Sequence, residues 1–244
     1  MRSIILIAMV LSVLGCGPAK EVDVTLEWPV EQLYNEARRE LAAGNYLTAI
    51  EYYETLESRF PFGSYATQAQ IDVAYAYFKF DEPDSALTAL DRFIKLHPRH
   101  ERVDYAYYLK GLVNFERGGS ALDFLYERDL SDFDKNLLFT TYQDFNLLLE
   151  KFPSSIYAAD AHKRMVYLRN QLAAADLKIA RYYASKKAWI AVTNRTKLIL
   201  QNYQGTATIK LALEMQLEAY QHLGLEKLAQ DTQRIIDLNF ADDS

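Results

Sequence analysis

Residues 49–61 read Ala-Ile-Glu-Tyr-Tyr-Glu-Thr-Leu-Glu-Ser-Arg-Phe-Pro, and residues 86–98 read Ala-Leu-Thr-Ala-Leu-Asp-Arg-Phe-Ile-Lys-Leu-His-Pro. Both reduce to one spacing: Ala49-x3-Tyr53-x2-Leu56-x4-Pro61 and Ala86-x3-Leu90-x2-Phe93-x4-Pro98. Thr141-x3-Phe145-x2-Leu148-x4-Pro153 is a third copy. Apolar residues four and then three apart lie on one face of a helix. The proline then stops that helix, because it lacks an N–H and disfavours helix in the residue before it. Twelve residues before the first two copies stand Ala37 and Ala74, and Gly111 stands before the third across a longer gap. Small residues there let a preceding antiparallel helix approach closely.

The rest of the chain from residue 30 continues this register, and no alternating strand pattern interrupts it. Ala180 and Val192 are again twelve apart and are followed by Ile199 and Tyr203, with Gln204 in place of the proline. Leu217, Ala229 and Ile236 make a last copy, and Gly224 precedes Ala229 by five as Gly44 precedes Ala49. Turn signals fall where the register needs them, at Ala43-Gly44-Asn45-Tyr46 and Asp81-Glu82-Pro83-Asp84. The pattern resembles the tetratricopeptide repeat, a helix–turn–helix unit of about 34 residues. The predicted fold is all-α, a right-handed superhelix of five tetratricopeptide-like helix pairs with a thin continuous core. Pairs one to three occupy 30–153 and pairs four and five occupy 154–240, with a tail at 241–244. The two halves form one elongated domain or two arms hinged around 154–160. Residues 156–185 lack Gly and Pro and read as one long helix. The third pair carries an insertion at about 118–135, a long loop of the kind that serves partners.

Composition narrows the function. Half of the 244 residues are hydrophobic and a quarter charged, the balance of a folded chain. With a net charge of −6 and no basic block, the chain is a poor candidate for nucleic acid. One cysteine excludes an internal disulfide. Asp129, Asp132 and Asp134 lack the turn glycine and closing glutamate of a calcium loop. His97 and His100 lie in a turn without a third metal ligand nearby in sequence. No nucleophile, phosphate-loop or metalloprotease motif is present, so the expectation is no metal, no cofactor and no catalysis.

The amino terminus has its own logic. After Met1-Arg2, an apolar run from Ile4 to Leu14 is too short to span a bilayer and fits a signal-peptide core. Val13-Leu14-Gly15-Cys16 resembles a bacterial lipobox. That resemblance implies removal of residues 1–15, lipidation of Cys16 and a lipidated tether over 16–29. Gly17 stands where an Asp would resemble an inner-membrane retention signal, so the lean is towards the outer membrane, on its periplasmic face.

Tetratricopeptide arrays bind partners along the first helices of their pairs, at the second, fifth, ninth and twelfth positions. Counted from the aligned small residues, pair one places Glu31, Tyr34, Arg38 and Leu41 there. Pair two places Gln68, Ile71, Tyr75 and Phe78, and pair three places Tyr105, Tyr108, Leu112 and Phe115. Phe62 and Tyr65, in the turn entering pair two, extend this set. Six rings occupy repeat positions that would be polar on an unused face, which suits an extended peptide with aromatic side chains.

Five stretches carry a closer resemblance. They are Arg59-Phe60-Pro61-Phe62-Gly63-x-Tyr65, Asp72-x2-Tyr75-Ala76-Tyr77, Asp91-Arg92-Phe93-Ile94, Asp104-Tyr105-x2-Tyr108-x2-Gly111-Leu112 and Ala188-Trp189-x-Ala191-Val192-x-Asn194-Arg195. With the lipobox and the loop in pair three, the chain resembles the BamD (YfiO) family of the outer-membrane β-barrel assembly (BAM) machine. The resemblance implies a non-catalytic scaffold and receptor. Its first half would bind the targeting strands of unfolded outer-membrane proteins. Its second half would dock on a POTRA domain of BamA and hold accessory Bam lipoproteins, with Trp189, Asn194 and Arg195 as interface elements. The alternative is a lipid-anchored repeat pilotin for a secretin or pilus system. A peptidoglycan hydrolase would need a further catalytic domain, for which the repeats leave no room.

Overall fold

The computed structural model describes residues 24–117 and 134–240. The expected signal peptide, Cys16, the tether up to residue 23, the loop residues 118–133 with Asp129 and Asp132, and the tail 241–244 lie outside the described residues. Ten α-helices and no strand are found among the described residues. They are α1 Val30–Ala43, α2 Tyr46–Arg59, α3 Ser64–Lys79, α4 Pro83–Leu96, α5 Val103–Arg117, α6 Lys135–Lys151, α7 Ala158–Ser185, α8 Trp189–Asn202, α9 Thr208–His222 and α10 Glu226–Phe240. Successive helices pack on one another as five pairs, and α1 also meets α3, α3 meets α5, and α7 meets α9.

The repeat spacing explains the helix ends. The N–H groups of Phe60, His97 and Phe152 each donate to the carbonyl four residues back, at 2.8 Å, and the following proline prevents a further turn. Tyr203 ends α8 in the same way at 3.0 Å, although Gln204 replaces the proline. The turns inside the pairs share a backbone form as well. Gly44, Asp81, Lys187 and Gly224 all have positive φ, and each lies five residues before the small or β-branched residue of its second helix.

Packing explains the exception at Gly111. A Cβ there would lie 2.6 Å from the Phe145 ring, so the third pair accepts no alanine where pairs one and two have Ala37 and Ala74. The core is layered along the array. Leu33, Tyr53 and Leu56 lie between pairs one and two, and Ile71, Leu90, Phe93 and Leu109 between pairs two and three. Phe115, Phe145, Leu148 and Leu168 follow, and then a smaller group of Leu177, Ile199 and Ala212. The long helix is 28 residues. Its Ala161, Met165 and Leu168 join the α5–α6 core, while Leu177 joins that of α8 and α9, so both halves share this helix.

Two local differences from the sequence reading stand out. The end of the tether is docked: Thr25 is buried, its carbonyl accepts from Arg59 at 2.6 Å, and Trp28 packs edge-on to Tyr52 at 5.5 Å. Helix α6 begins at Lys135, a turn earlier than the Thr141 register requires, because Asp134 caps it by accepting from the Asn136 N–H at 2.9 Å.

Candidate functional site

Helices α1, α3 and α5 lie side by side and carry the predicted rings. A polar knot fixes their spacing. Asp72 on α3 accepts from the Tyr34 hydroxyl at 2.9 Å, from Gln68 at 3.0 Å and from Arg102 at 3.1 Å. One carboxylate therefore ties α1, α3 and the entry to α5. Burial pushes the Asp72 carboxyl up, against the lowering effect of Tyr34 and Arg102. Burial and Asp72 together push the Tyr34 hydroxyl well above the usual phenol range.

The predicted rings divide between core and surface. Ile71 is fully buried among Ala74, Leu90 and Phe93, and Phe115 is buried against Phe145 and Tyr167. These two were expected on an open face and instead fill the layers between pairs. Tyr34 is also buried, with its ring 5.3 Å from Tyr65 and 6.1 Å from Tyr53. Leu41, Tyr65, Tyr75, Phe78, Tyr105 and Tyr108 are half-buried, and Phe62 is 90% exposed at its turn. Tyr75 and Phe78 meet at 6.3 Å. Tyr108 stacks on Tyr157 at 4.7 Å, and Tyr105 leans on the same ring at 5.5 Å.

Cations lie on these rings, and of them only Arg38 was expected on this face. Arg38 lies over Tyr34 at 5.8 Å, Lys79 over Phe78 at 5.9 Å and Arg102 over Tyr105 at 5.0 Å. Arg164 of α7 lies over Phe115 at 4.8 Å. Arg38 and Tyr34, and Arg102 and Tyr105, stand one helical turn apart and Lys79 adjoins Phe78, so three of the four were legible as spacing. Arg164 and Phe115 are brought together only by the fold. Near the junction of pairs three and four, the Tyr108 hydroxyl donates to Asp160 at 2.7 Å, and Arg164 bonds the same carboxylate at 2.6 Å. Burial and Asp160 push the Tyr108 hydroxyl up to about 12.

A cleft of 480 Å³ opens beside this face, lined by Tyr34, Tyr65, Thr67, Gln68, His100 and Glu101. A larger cleft of 670 Å³ lies between α2 and α4 and contains none of the predicted rings. Its Glu57 and Glu54 are already matched by Arg92 and Tyr77.

The second half places its predicted residues differently. Trp189 stacks flat on His222 at 4.0 Å and so pins α8 to α9. Asn194 is exposed. Arg195, expected as an interface element, meets an acid within the chain. Its Nη1 lies 2.8 Å from Asp176, a carboxylate with 3% side-chain exposure. Lys135 bonds both oxygens of Asp176 at 2.7 and 2.8 Å, so α6, α7 and α8 share one buried acid. Charge is also uneven along the chain here. Residues 157–205 hold nine Lys or Arg and two Asp or Glu, an excess that the acidic remainder hides in the whole-chain sum.

A family model for YfiO, described as an outer membrane lipoprotein, matches residues 27–235. The outer membrane protein assembly factor BamD of Neisseria meningitidis serogroup A is 46% identical over 221 residues, 91% of this chain and 83% of that one. The BamD of Vibrio cholerae is 40% identical over 225 residues, 92% of either chain. Among solved structures, a tetratricopeptide repeat protein from Parabacteroides merdae aligns over 85% of this chain and 64% of that one. Its TM-score is 0.42 and its identity 14%, too slight a likeness to build on. By its sequence, the chain belongs to the YfiO family of outer membrane lipoproteins.

Proposed function

We propose that the chain is a non-catalytic assembly factor for outer-membrane proteins, and that its first three helix pairs receive extended peptide segments of the unfolded clients. The names of its relatives support the assembly role. The observation that carries the peptide reading is the row of half-buried rings on α3 and α5. Tyr75, Phe78, Tyr105 and Tyr108 retain accessible surface after the core is complete. Each offers an apolar face to an aromatic side chain. The cations over Phe78 and Tyr105 keep those rings ordered in the absence of a ligand, which lowers the cost of ordering on binding. In this reading the targeting strand, alternating apolar residues and ending in an aromatic one, lies across α1, α3 and α5.

The second half would dock on a POTRA domain of BamA and on accessory Bam lipoproteins, with Asn194 and the outer edge of Trp189 as contacts. Arg195 would contribute chiefly by holding α8 to α7 through Asp176. Lipidation at Cys16 would hold the protein to the outer membrane.

The experiment is peptide binding by fluorescence anisotropy. The probe is a synthetic peptide of alternating apolar residues with a carboxy-terminal Phe. Tyr75→Ala with Phe78→Ala should weaken binding at least about fivefold, since each aromatic contact is worth roughly 0.5–1.5 kcal/mol. Melting and circular dichroism should remain those of a folded array, because neither ring is part of the fully buried core. Unchanged affinity in a folded double variant rejects the groove.

A further inference from the structure

We propose that the turn between α7 and α8 is a contact point for an anionic lipid surface. The inference is independent of the peptide reading and of the assembly role. Its first ground is charge. Residues 157–205 carry nine basic and two acidic side chains in a chain of net charge −6. Both acids are engaged internally, Asp160 by Tyr108 and Arg164 and Asp176 by Lys135 and Arg195. The exposed cations thus lack a matching acid within their own pair. Arg181, Lys186 and Lys187 are exposed and gather at the end of α7.

The second ground is what surrounds them. Tyr182 is 60% exposed and Ile190 67% exposed, one on either side of the lysines. Lys186 lies over the Tyr182 ring at 5.6 Å. Trp189 and His222 are stacked behind the turn, and Glu218, 3.9 Å from His222, is an acid within reach of that stack. Cations beside an exposed tyrosine and an exposed aliphatic side chain match a headgroup layer, which takes charge at its surface and apolar groups just below it.

The third ground is the backbone. Lys187 has φ 56. The equivalent turns place Gly44, Asp81 and Gly224 at this position, and the segments Ala43–Tyr46, Asp81–Asp84 and Leu223–Glu226 contain no Lys or Arg. A left-handed residue with a Cβ is strained, and glycine relieves that strain at two of the four turns. Lys187 places a second cation next to Lys186 at a turn whose equivalents carry none.

A lipid surface fits better than an acidic protein. The turn is short, with one exposed apolar side chain on either side of its lysines. Each partner of a specific protein complex usually buries ~800 Å². A membrane needs no such area, because each cation near an anionic surface adds about fivefold to partition.

The test uses the full chain carrying Cys16→Ser, so that lipidation does not mask the effect. Partition is measured by sedimentation onto phosphatidylcholine vesicles with and without phosphatidylglycerol. The ratio of the two partitions removes the common contribution of the apolar amino terminus. The native turn should give a ratio well above one that collapses in high salt. Lys186→Gln with Lys187→Gln should lower that ratio about twentyfold. Lys187→Gly alone should lower it about fivefold and raise the melting temperature by about 2 °C, because the strain is removed. A ratio near one for the native turn, or one unchanged in both variants, overturns the proposal. So does a double variant that keeps its vesicle ratio and instead loses a co-purifying acidic protein from solubilised envelopes.

Discussion

The first three helix pairs and the fourth use their cations in different ways. In the first three, Arg38, Lys79 and Arg102 lie over Tyr34, Phe78 and Tyr105, and Asp72 takes up part of that charge. In the fourth, Asp176 is buried, Asp160 is held at the surface by Tyr108 and Arg164, and Arg181, Lys186 and Lys187 stand in solvent, Lys186 also lying over Tyr182. The same repeat therefore supports two kinds of surface. One presents rings held in place by charge, and the other presents charge with few acids to balance it. The difference follows from what each pair buries. Pairs two and three fill their layers with large aromatic and aliphatic residues, whereas the layer between pairs four and five is smaller, and the buried polar tie at Asp176 joins α6, α7 and α8.

The comparison breaks most directly at the two acids that tie helices together. Asp176 has 3% side-chain exposure and two cationic partners, and Asp72 has 15%. Asp176→Ala leaves Lys135 and Arg195 without their acid and should cost about 3 kcal/mol or more. That corresponds to a fall of roughly 6–12 °C in melting temperature. Asp72→Ala should cost about 1–2 kcal/mol, because Asp72 is the more exposed acid and holds one cation where Asp176 holds two. Equal losses, measured by calorimetry, would erase the contrast between the halves.

A smaller effect is expected in the packing of the third pair. Gly111→Ala drives a methyl into the Phe145 ring and should cost about 1–3 kcal/mol. Adding Phe145→Leu should recover much of that loss in urea unfolding, since pair two accepts alanine at Ala74 with Leu90 at the matching position. No recovery would mean that the clash is with backbone spacing and not with the ring.

The smallest effect concerns pH. Burial raises the Asp160 carboxyl, but the hydrogen bonds from Arg164 and Tyr108 outweigh it and the net shift is downward. A carboxyl depressed in the folded state contributes stability above its unfolded value of about 4. That contribution is lost as pH falls through the depressed folded value. The native protein should therefore lose more of its melting temperature between pH 5 and pH 3 (roughly the window set by that unfolded value) than Asp160→Asn does. Parallel curves for the two proteins would show that the Tyr108–Asp160–Arg164 contact adds nothing.

Much of the fold was legible because small residues and prolines repeat at fixed distances. Ala37, Ala49 and Pro61 locate a helix pair without any knowledge of its neighbours. The long α7 was legible from the lack of Gly and Pro over 156–185. The face of the first helices was only partly legible. Ile71 and Phe115 occupy the same repeat positions as rings that remain accessible, and which of them turns inward depends on the next pair, which position in the repeat does not encode. The bond from Arg195 was not legible for a similar reason, since Asp176 lies nineteen residues away and only the packing of α7 on α8 brings them together. The basic character of the fourth pair was present in the sequence all along. A sum over the whole chain conceals it, and a sum over one helix pair reveals it.

The account stands most on the claim that peptide binds the first three pairs and leaves the last two alone. Hydrogen–deuterium exchange with and without the aromatic-ended peptide tests it in one measurement. The expected result is added protection in α3 and α5, with no change in α8, α9 or α10. Protection confined to the last two pairs, or spread evenly over all five, would contradict it.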